Sequence, residues 1–414
     1  MRIAVWHNLP SGGGKRAMFY HLKGLKERGH HIEIWTTPLA DSQYLDFESI
    51  GTIHVVPLAP PLGSVPASDR IGYMTFQQDS AMQAMEAHSR TCAEQILAGG
   101  FDVLFANSCM TYAAPYIARF VTIPTLLYLG EPLRYLHEAQ PTLPWNAPEE
   151  KPQWTSLAYW RMLINDLWRE RRFRVLLREE RQNFWTFDKV LVNSIYSAET
   201  CTRVYGKDAE VGYLGVDTEI FRPLNLDREP FVICTSSFQV RKDPGFIIDA
   251  LSHIPAVNRP PLVWVANYTN PDYEAQMQQY ALDAGVKLTL KKMVSDEELV
   301  TLLNRASAFV YAPRLEPFGL APLEANACGL PVVAVAESGV RESIQHGQNG
   351  LLVHRNARQM GRAIERVLSD QELWQKLSAD ALDQIENKWS MKHCIDRIED
   401  ALHTTAVRSK ETQP

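Results

Sequence analysis

The sequence predicts an α/β protein made of two Rossmann-like domains, and three observations carry that prediction. A short apolar strand, Ile3–Trp6, runs into the glycine-rich loop Pro10–Gly14 and then into a helix. The same order restarts at strand Phe231–Thr235, with loop Ser236–Asp243 and a helix opened by Pro244. From Ala308 to Val335 the chain reads strand, loop, helix, strand, which is the crossover unit of a parallel sheet.

In the first half, Lys15–Arg28 has helical spacing, with Met18, Leu22 and Leu25 on one face. Gly29 ends it, and His31–Thr36 is the next strand. Gly12-x-Gly14-x-x-Ala17 formally fits a dinucleotide fingerprint, but Glu33 falls mid-strand and the loop before the glycines is long, so the match is weak. It is not a Walker A loop, because Arg16 follows Lys15. Residues 58–72 form a Pro/Gly/Ser-rich loop, and Tyr73–Leu97 is mostly helical. Strands Phe101–Ala106 and Thr125–Leu129 end in Asn107-Ser108 and Gly130-Glu131-Pro132-Leu133-Arg134. Open parallel sheets bind ligands at the carboxyl ends of their strands, so both ends are candidate ligand contacts.

The stretch Trp154–Trp185 is rich in Trp and Arg, with seven arginines against four acids between Arg161 and Arg181. Leu163, Leu167, Phe173, Leu176 and Leu177 supply an apolar side. Two readings stand: a helix packed on its own domain with a solvated basic face, or a helix lying on an anionic membrane surface. Val190–Asn193 is a strand, Ser194 is placed to cap the helix Ala198–Tyr205, and the polar, proline-bounded Leu224–Pro230 reads as a linker.

In the second half, Leu262–Ala266 is a strand, and after Leu288–Val294 Ser295 opens a helix as a capping box with Glu298. Ala308–Tyr311 reads as a buried strand, and Gly319 stands where the helix Leu320–Ala327 begins. Gly329 sits just past the helix end, Pro331 stops continuation, and Val332–Val335 is the next strand. Leu351–Val353 is the last strand, followed by helices Ala357–Leu368, Gln371–Ile385 and Trp389–Leu402. The free N–H groups opening Leu320–Ala327 suit an anion such as a phosphate. Glu316 and Glu324 bracket that opening, and an ionised carboxylate is an acceptor suited to sugar or ribose hydroxyls. Spacing alone leaves open that Glu316 is a loop charge and Glu324 a solvated helix residue.

EPFGLAPLE resembles the E-x7-E motif of retaining nucleotide-sugar glycosyltransferases of the GT-B fold, glycosyltransferase family 4. The flanking segments resemble that family as well: Gly329–Ala334, Ser338-Gly339 with Glu342, His346–Val353, and Gly215-Val216-Asp217 leading to Phe221-Arg222-Pro223. The resemblance implies two Rossmann-like domains facing across a cleft, with the terminal helix crossing back to the first. The domains are then 1–223 for the acceptor, 224–388 for the donor, a returning helix 389–405 and a disordered tail 406–414. It further implies that Glu324 accepts from the ribose hydroxyls, that Glu316 orients the sugar, and that the N–H groups of Phe318, Gly319 and Leu320 hold sugar and β-phosphate. Lys242 and Arg241 stabilise the departing diphosphate, Met293 and Val294 line the nucleobase, and the loop at Gly13 and Gly14 approaches the diphosphate. Three departures stand out. Gly130 occupies the place of the histidine before Glu-Pro, leaving Glu131 as the nearest carboxylate; Ser237 replaces an arginine, for which Arg241 can compensate; and Lys292 stands where glycine is common. Either Glu131 takes over the histidine's part, or the sugar is held differently, or catalysis is impaired.

Length fits two or three domains at 414 residues, with 45% apolar and 22% charged residues, as in an ordinary globular chain. A net charge of −6 gives no sign of nucleic-acid binding. Six scattered cysteines have no metal-ligand spacing and suggest a reducing compartment. The first residues lack a signal-peptide pattern and no apolar run spans a bilayer, so a cytoplasmic protein is expected, peripheral to the inner membrane face if the basic helix docks there. The expected partners are a nucleotide-sugar donor and a carbohydrate or lipid-linked acceptor. No Asp-x-Asp occurs, so no metal or other cofactor is expected beyond the nucleotide-diphosphate sugar as co-substrate. A nucleotide-sugar epimerase of related fold, a binding protein that has lost catalysis, and a dehydrogenase using the Gly12–Ala17 loop are the alternatives.

Overall fold

A computed structural model describes residues 1–41, 45–59, 80–109, 112–133, 137 and 152–411. Most of the proline-rich loop expected at 58–72, the first residues of the helix expected from Tyr73, and Arg134 lie outside these residues. The chain divides into two compact units. The first holds Met1–Asn193, Ser197–Gly212 and the chain from Ile395 onward; the second holds Ser194–Tyr196 and Tyr213–Cys394.

The first unit is built on seven strands: β1 (Arg2–Asn8), β2 (His31–Thr36), β3 (Thr52–Val55), β4 (Val103–Cys109), β5 (Thr125–Gly130), β6 (Lys189–Val192) and β7 (Glu210–Val211). Their order is β3-β2-β1-β4-β5-β6-β7, and every pairing among them is parallel. The central strands are continuous apolar runs because helices cover both faces. Those helices are α1 (Gly13–Glu27), α2 (Ser80–Ala98), α3 (Leu157–Thr186) and α4 (Ile195–Tyr205). β3 and β7 gave no apolar run in the sequence, since one is a half-exposed edge and the other is two residues long.

Helix α3 is capped by Ser156, whose side chain accepts from the Tyr159 N–H at 3.2 Å. Only its C-terminal half is packed: Val175, Leu176, Glu179, Glu180, Asn183 and Phe184 are buried. The apolar side expected along the whole helix fails at Leu167, which is 63% exposed.

The second unit carries β8 (Val232–Thr235), β9 (Leu262–Ala266), β10 (Leu288–Lys292), β11 (Ala308–Tyr311), β12 (Val332–Val335) and β13 (Gly350–Val353). Their order is β10-β9-β8-β11-β12-β13, again all parallel. Around them lie α5 (Pro244–Ser252), α6 (Pro271–Asp283), α7 (Asp296–Arg305), α8 (Leu320–Ala327), α9 (Val340–Ser343), α10 (Ala357–Ser369) and α11 (Gln371–Gln384). Strands β11 and β12 are buried along their whole length, which is why Val and Ala dominate them. Ser295 accepts from the Glu298 N–H, but the Glu298 carboxylate pairs with Lys291, so the expected capping box is made from one side only.

The segment read as a linker is fastened to this unit. The Leu224 N–H donates to Asn304, while Arg228 donates to the carbonyls of Leu303, Ala306 and Cys328 and lies over the Trp374 ring. The terminal helix α12 (Met391–Glu411) starts in the second unit and belongs to the first from Ile395. Its backbone is helical past Ala406, where the sequence suggested a disordered tail.

A buried amide clasp holds α8 in the second unit. Asn326 donates to the carbonyls of Leu330 and Asn349, and Asn349 donates to the Asn326 side chain and the Ser343 carbonyl. The Asn349 side-chain oxygen also accepts from the Gln345 N–H at 2.7 Å. Both asparagines are fully buried, so each partner lost would leave a polar group without water. Asn326→Leu is expected to cost roughly 2–4 kcal/mol in urea unfolding, with retention of the far-UV spectrum at low denaturant.

Candidate functional site

In the second sheet the strand order reverses between β8 and β11, and the loops leaving the carboxyl ends of that pair are where an open parallel sheet takes its ligand. Lys242 comes from the loop after β8, in a short 3₁₀ turn over Val240–Lys242. Glu316 comes from the loop after β11. The two side chains meet at 2.6 Å from Nζ to Oε2, with exposures of only 12% and 14%, so they are shielded in a way that surface pairs are not. Beneath them Tyr311 is fully buried and bonds to Glu316. Burial first, and the Glu316 charge second, push its hydroxyl well above the usual tyrosine range, so it stays neutral and can donate to the carboxylate.

The Glu316 loop is held in a tightly specified shape. Leu315 and Ser338 both adopt left-handed backbone, at φ 51° and 49°, and Gly319 caps α8 at φ 88°. Non-glycine residues seldom sit there unless their surroundings enforce it. The enforcing contact is Gly339. Its N–H donates to the Glu316 carbonyl at 3.0 Å, and a Cβ at this position would lie 1.8 Å from the Pro317 carbonyl oxygen. Behind the helix start, Ser343 Oγ donates to the Phe318 carbonyl. The Phe318 ring is buried against Tyr213 and Trp389. The N–H groups that open α8 are therefore presented by a rigid turn, which suits an anion.

Arg355 joins the loops from below. It forms a two-pronged pair with Glu337 at 2.6 and 2.7 Å, donates to Asp243 at 2.9 Å, and reaches the carbonyls of Ala312 and Pro313. Its hydrogen bonds hold the Glu337 carboxyl below the usual range. Asp243 also pairs with Arg314 and caps α5 through the Phe246 N–H, itself at φ 52°. Neither Arg355 nor Asp243 was marked by the sequence. Asp243 preceding Pro244 was the available signal, because Asp before a helix-opening proline is a natural N-cap. A lone arginine after the last strand gave none.

The remaining predicted residues fall as follows. Arg241 is half-buried, its charge acts on Tyr311, and its carbonyl accepts from Arg314. Ser237 is half-buried in the loop after β8, while Leu320 opens α8 and Glu324 lies a turn further along it. Met293, 75% exposed and at φ 51°, and Val294 follow the edge strand β10, where Lys292 pairs with Glu274 at 2.7 Å. Gly13, Gly14 and Glu131 belong to the first unit. Gly13 and Gly14 are not loop residues as expected. They are the first residues of α1, with Gly12 at φ 147° as the position that demands glycine. Gly130 sits at φ 71° on a register shift between β5 and β6, so a histidine there would be strained by about 1 kcal/mol or more.

Residues 216–384 match the family described as Glycosyl transferases group 1. The chain is 28% identical over 239 residues to a GDP-mannose-dependent alpha-(1-6)-phosphatidylinositol monomannoside mannosyltransferase of Mycobacterium tuberculosis, covering 52% of this chain and 61% of that one. It is 32% identical over 193 residues to a D-inositol 3-phosphate glycosyltransferase of Frankia alni, covering 41% and 46%. The matches thus span about half the length of these curated relatives. Among solved structures, sucrose-phosphate synthase of Thermosynechococcus elongatus aligns at TM-score 0.70 and 19% identity, over 99% of this chain and 100% of that one. Anabaena HepE in complex with UDP and glucose aligns at 0.67 and 16%, over 98% and 100%. The fold is GT-B, with two Rossmann-like domains.

Gly339→Ala tests the turn directly. The collision with Pro317 must displace the Glu316 loop, so thermal unfolding is expected to report a loss of roughly 1–3 kcal/mol. Gly347→Ala, whose added Cβ meets nothing within 4 Å but whose φ is 77°, is expected to cost about 1 kcal/mol from backbone strain alone.

Proposed function

We propose that the chain, whose residues 216–384 match the group 1 glycosyl transferases, transfers a sugar, with retention, from a nucleotide-diphosphate sugar to an acceptor hydroxyl. The observation that carries this is the shielded Lys242–Glu316 pair beside the amide-lined start of α8 at the strand-order reversal. A cation, a carboxylate and helix-opening amides match the two parts of such a donor: the diphosphate oxygens take the cation and the amides, and the sugar hydroxyls take the carboxylate. HepE, which shares the fold, was solved with UDP and with UDP-glucose.

In this reading Glu324 accepts from the ribose hydroxyls. The N–H groups of Phe318, Gly319 and Leu320 hold the β-phosphate and the sugar, and Glu316 orients the sugar hydroxyls. Met293 and Val294 line the base, with Ser237 at the diphosphate. The bond from the anomeric carbon to the phosphate oxygen breaks, and the acceptor oxygen bonds to that carbon from the same face. The acceptor proton passes to the departing phosphate oxygen. Negative charge grows on the diphosphate, where Lys242, Arg241 and the α8 amides stabilise it without a metal. In the same proposal the first unit takes the acceptor, Glu131 is its catalytic carboxylate, and Gly13 and Gly14 are contacts of the donor diphosphate. The setting proposed here is glycolipid or polysaccharide synthesis; the mycobacterial relative is named for a phosphatidylinositol monomannoside, a lipid acceptor.

A peripheral membrane contact belongs to the same proposal. Trp154, Leu157, Trp160, Ile164 and Leu167 are each at least half exposed, at spacings of three and four residues, beside the arginines of α3. No helix among the described residues is long and apolar enough to cross a membrane. A stripe of this kind fits an anionic lipid surface.

Two outcomes are expected. Glu324→Ala should weaken nucleotide binding by at least about tenfold in calorimetry, whereas Glu316→Ala should lower kcat by roughly 10²-fold at near-normal nucleotide affinity; unchanged kinetics in both would overturn the assignment. In sedimentation with vesicles, the protein should pellet with anionic lipid at low salt and release as salt rises, and Trp160→Ser with Leu167→Ser should abolish pelleting.

A further inference from the structure

His30, Glu399 and His403 converge in the first unit, and none of them takes part in the proposed transfer. His30 lies between α1 and β2 and is nine-tenths buried, while Glu399 and His403 stand one turn apart on α12. One ligand atom from each lies within 4.8 Å of the others. Nε2 of His30 is 2.7 Å from Oε1 of Glu399, and the two imidazole rings are 5.9 Å apart between centroids. Residues at i and i+4 share a helix face, so Glu399 and His403 present their side chains together toward His30.

We propose that these three side chains form a divalent transition-metal site, best suited to Zn²⁺, which ties α12 to the β2 end of the first unit. Four ligands around Zn²⁺ at about 2.0–2.1 Å stand roughly 3.3 Å from one another. The present spacing brackets that value, so modest side-chain rotations close the site. Two imidazoles and one carboxylate suit Zn²⁺, Co²⁺ or Ni²⁺ and not the all-oxygen shells of Mg²⁺ or Ca²⁺. Arg28 engages the other Glu399 oxygen and also Asp396. That leaves Oε1 directed at His30 and supplies the outer partner that orients a ligating carboxylate. Water fills the fourth position. Without a metal, Nε2 of His30 and Oε1 of Glu399 form a hydrogen-bonded pair, and Nδ1 of His30 lies 3.3 Å from the Met1 amino group.

The test uses the full chain without a histidine tag, stripped with a chelator and titrated with ZnCl₂ by calorimetry at neutral pH. The expected result is one equivalent bound at micromolar affinity, a rise in the thermal midpoint with Zn²⁺, and none with Mg²⁺. CoCl₂ should give the visible bands of tetrahedral coordination. His403→Ala, at an exposed position, should leave the metal-free midpoint in place, weaken Zn²⁺ binding by more than ~10-fold and remove the zinc-dependent rise. His30→Gln should lose the rise too. No uptake by the unaltered protein at about 100 µM Zn²⁺, or equal uptake by His403→Ala, would overturn the site and leave only the hydrogen-bonded pair.

Discussion

The site rests on how closely the Glu316 loop is pressed against the loop after β12. With a Cβ forbidden at Gly339, the backbone of Glu316–Phe318 lies directly on that second loop. That contact fixes where Glu316 points, where the amides of α8 begin, and how Lys242 can meet the carboxylate. The other devices serve it from behind. Arg355 gathers Asp243, Glu337 and two loop carbonyls into one half-buried charged hub. The amides of Asn326 and Asn349 clamp the far end of α8. A site that must meet a diphosphate without reorganising needs this kind of rigidity, because donors already in position pay no rearrangement cost when charge develops.

Much of the second unit was legible because its signals are local. Strand Ala308–Tyr311, helix Leu320–Ala327 and strand Val332–Val335 appear in the structure with the boundaries read from the residues. Gly319 and Gly329 punctuate them at φ 88° and 68°, as a cap and a C′ residue should. Lys242 and Glu316 were singled out separately, 74 positions apart, and the fold brings them together. What stayed hidden depends on tertiary context. Arg355 matters only because three loops converge on it, and no spacing rule encodes that. Helix α6 was missed because its polar face dominates its composition, and only Met277 and Ala281 are buried.

The first unit was harder to read. Its glycine-rich loop is shorter than it looked, because the helix dipole of α1 begins at Gly13. The arginine-rich α3 hides two of its acids, Glu179 and Glu180, inside the core, where Glu180 bonds to the Tyr205 hydroxyl and Glu179 pairs with Arg119. Counting charges along the helix could not reveal that its exposed surface is more basic than its sequence. The His30–Glu399–His403 cluster was invisible for a simpler reason: His30 precedes Glu399 by 369 residues, and only the return of α12 to the first unit assembles them.

The most direct measurement is a crystal structure of the chain soaked with UDP-, GDP- and ADP-sugars. The account predicts a diphosphate within hydrogen-bonding distance of the Gly319 and Leu320 amides and of Lys242 Nζ, with the ribose on Glu324 and the sugar on Glu316. A sugar nucleotide bound with its diphosphate elsewhere, or density at the α8 start from a molecule lacking a diphosphate, would contradict it.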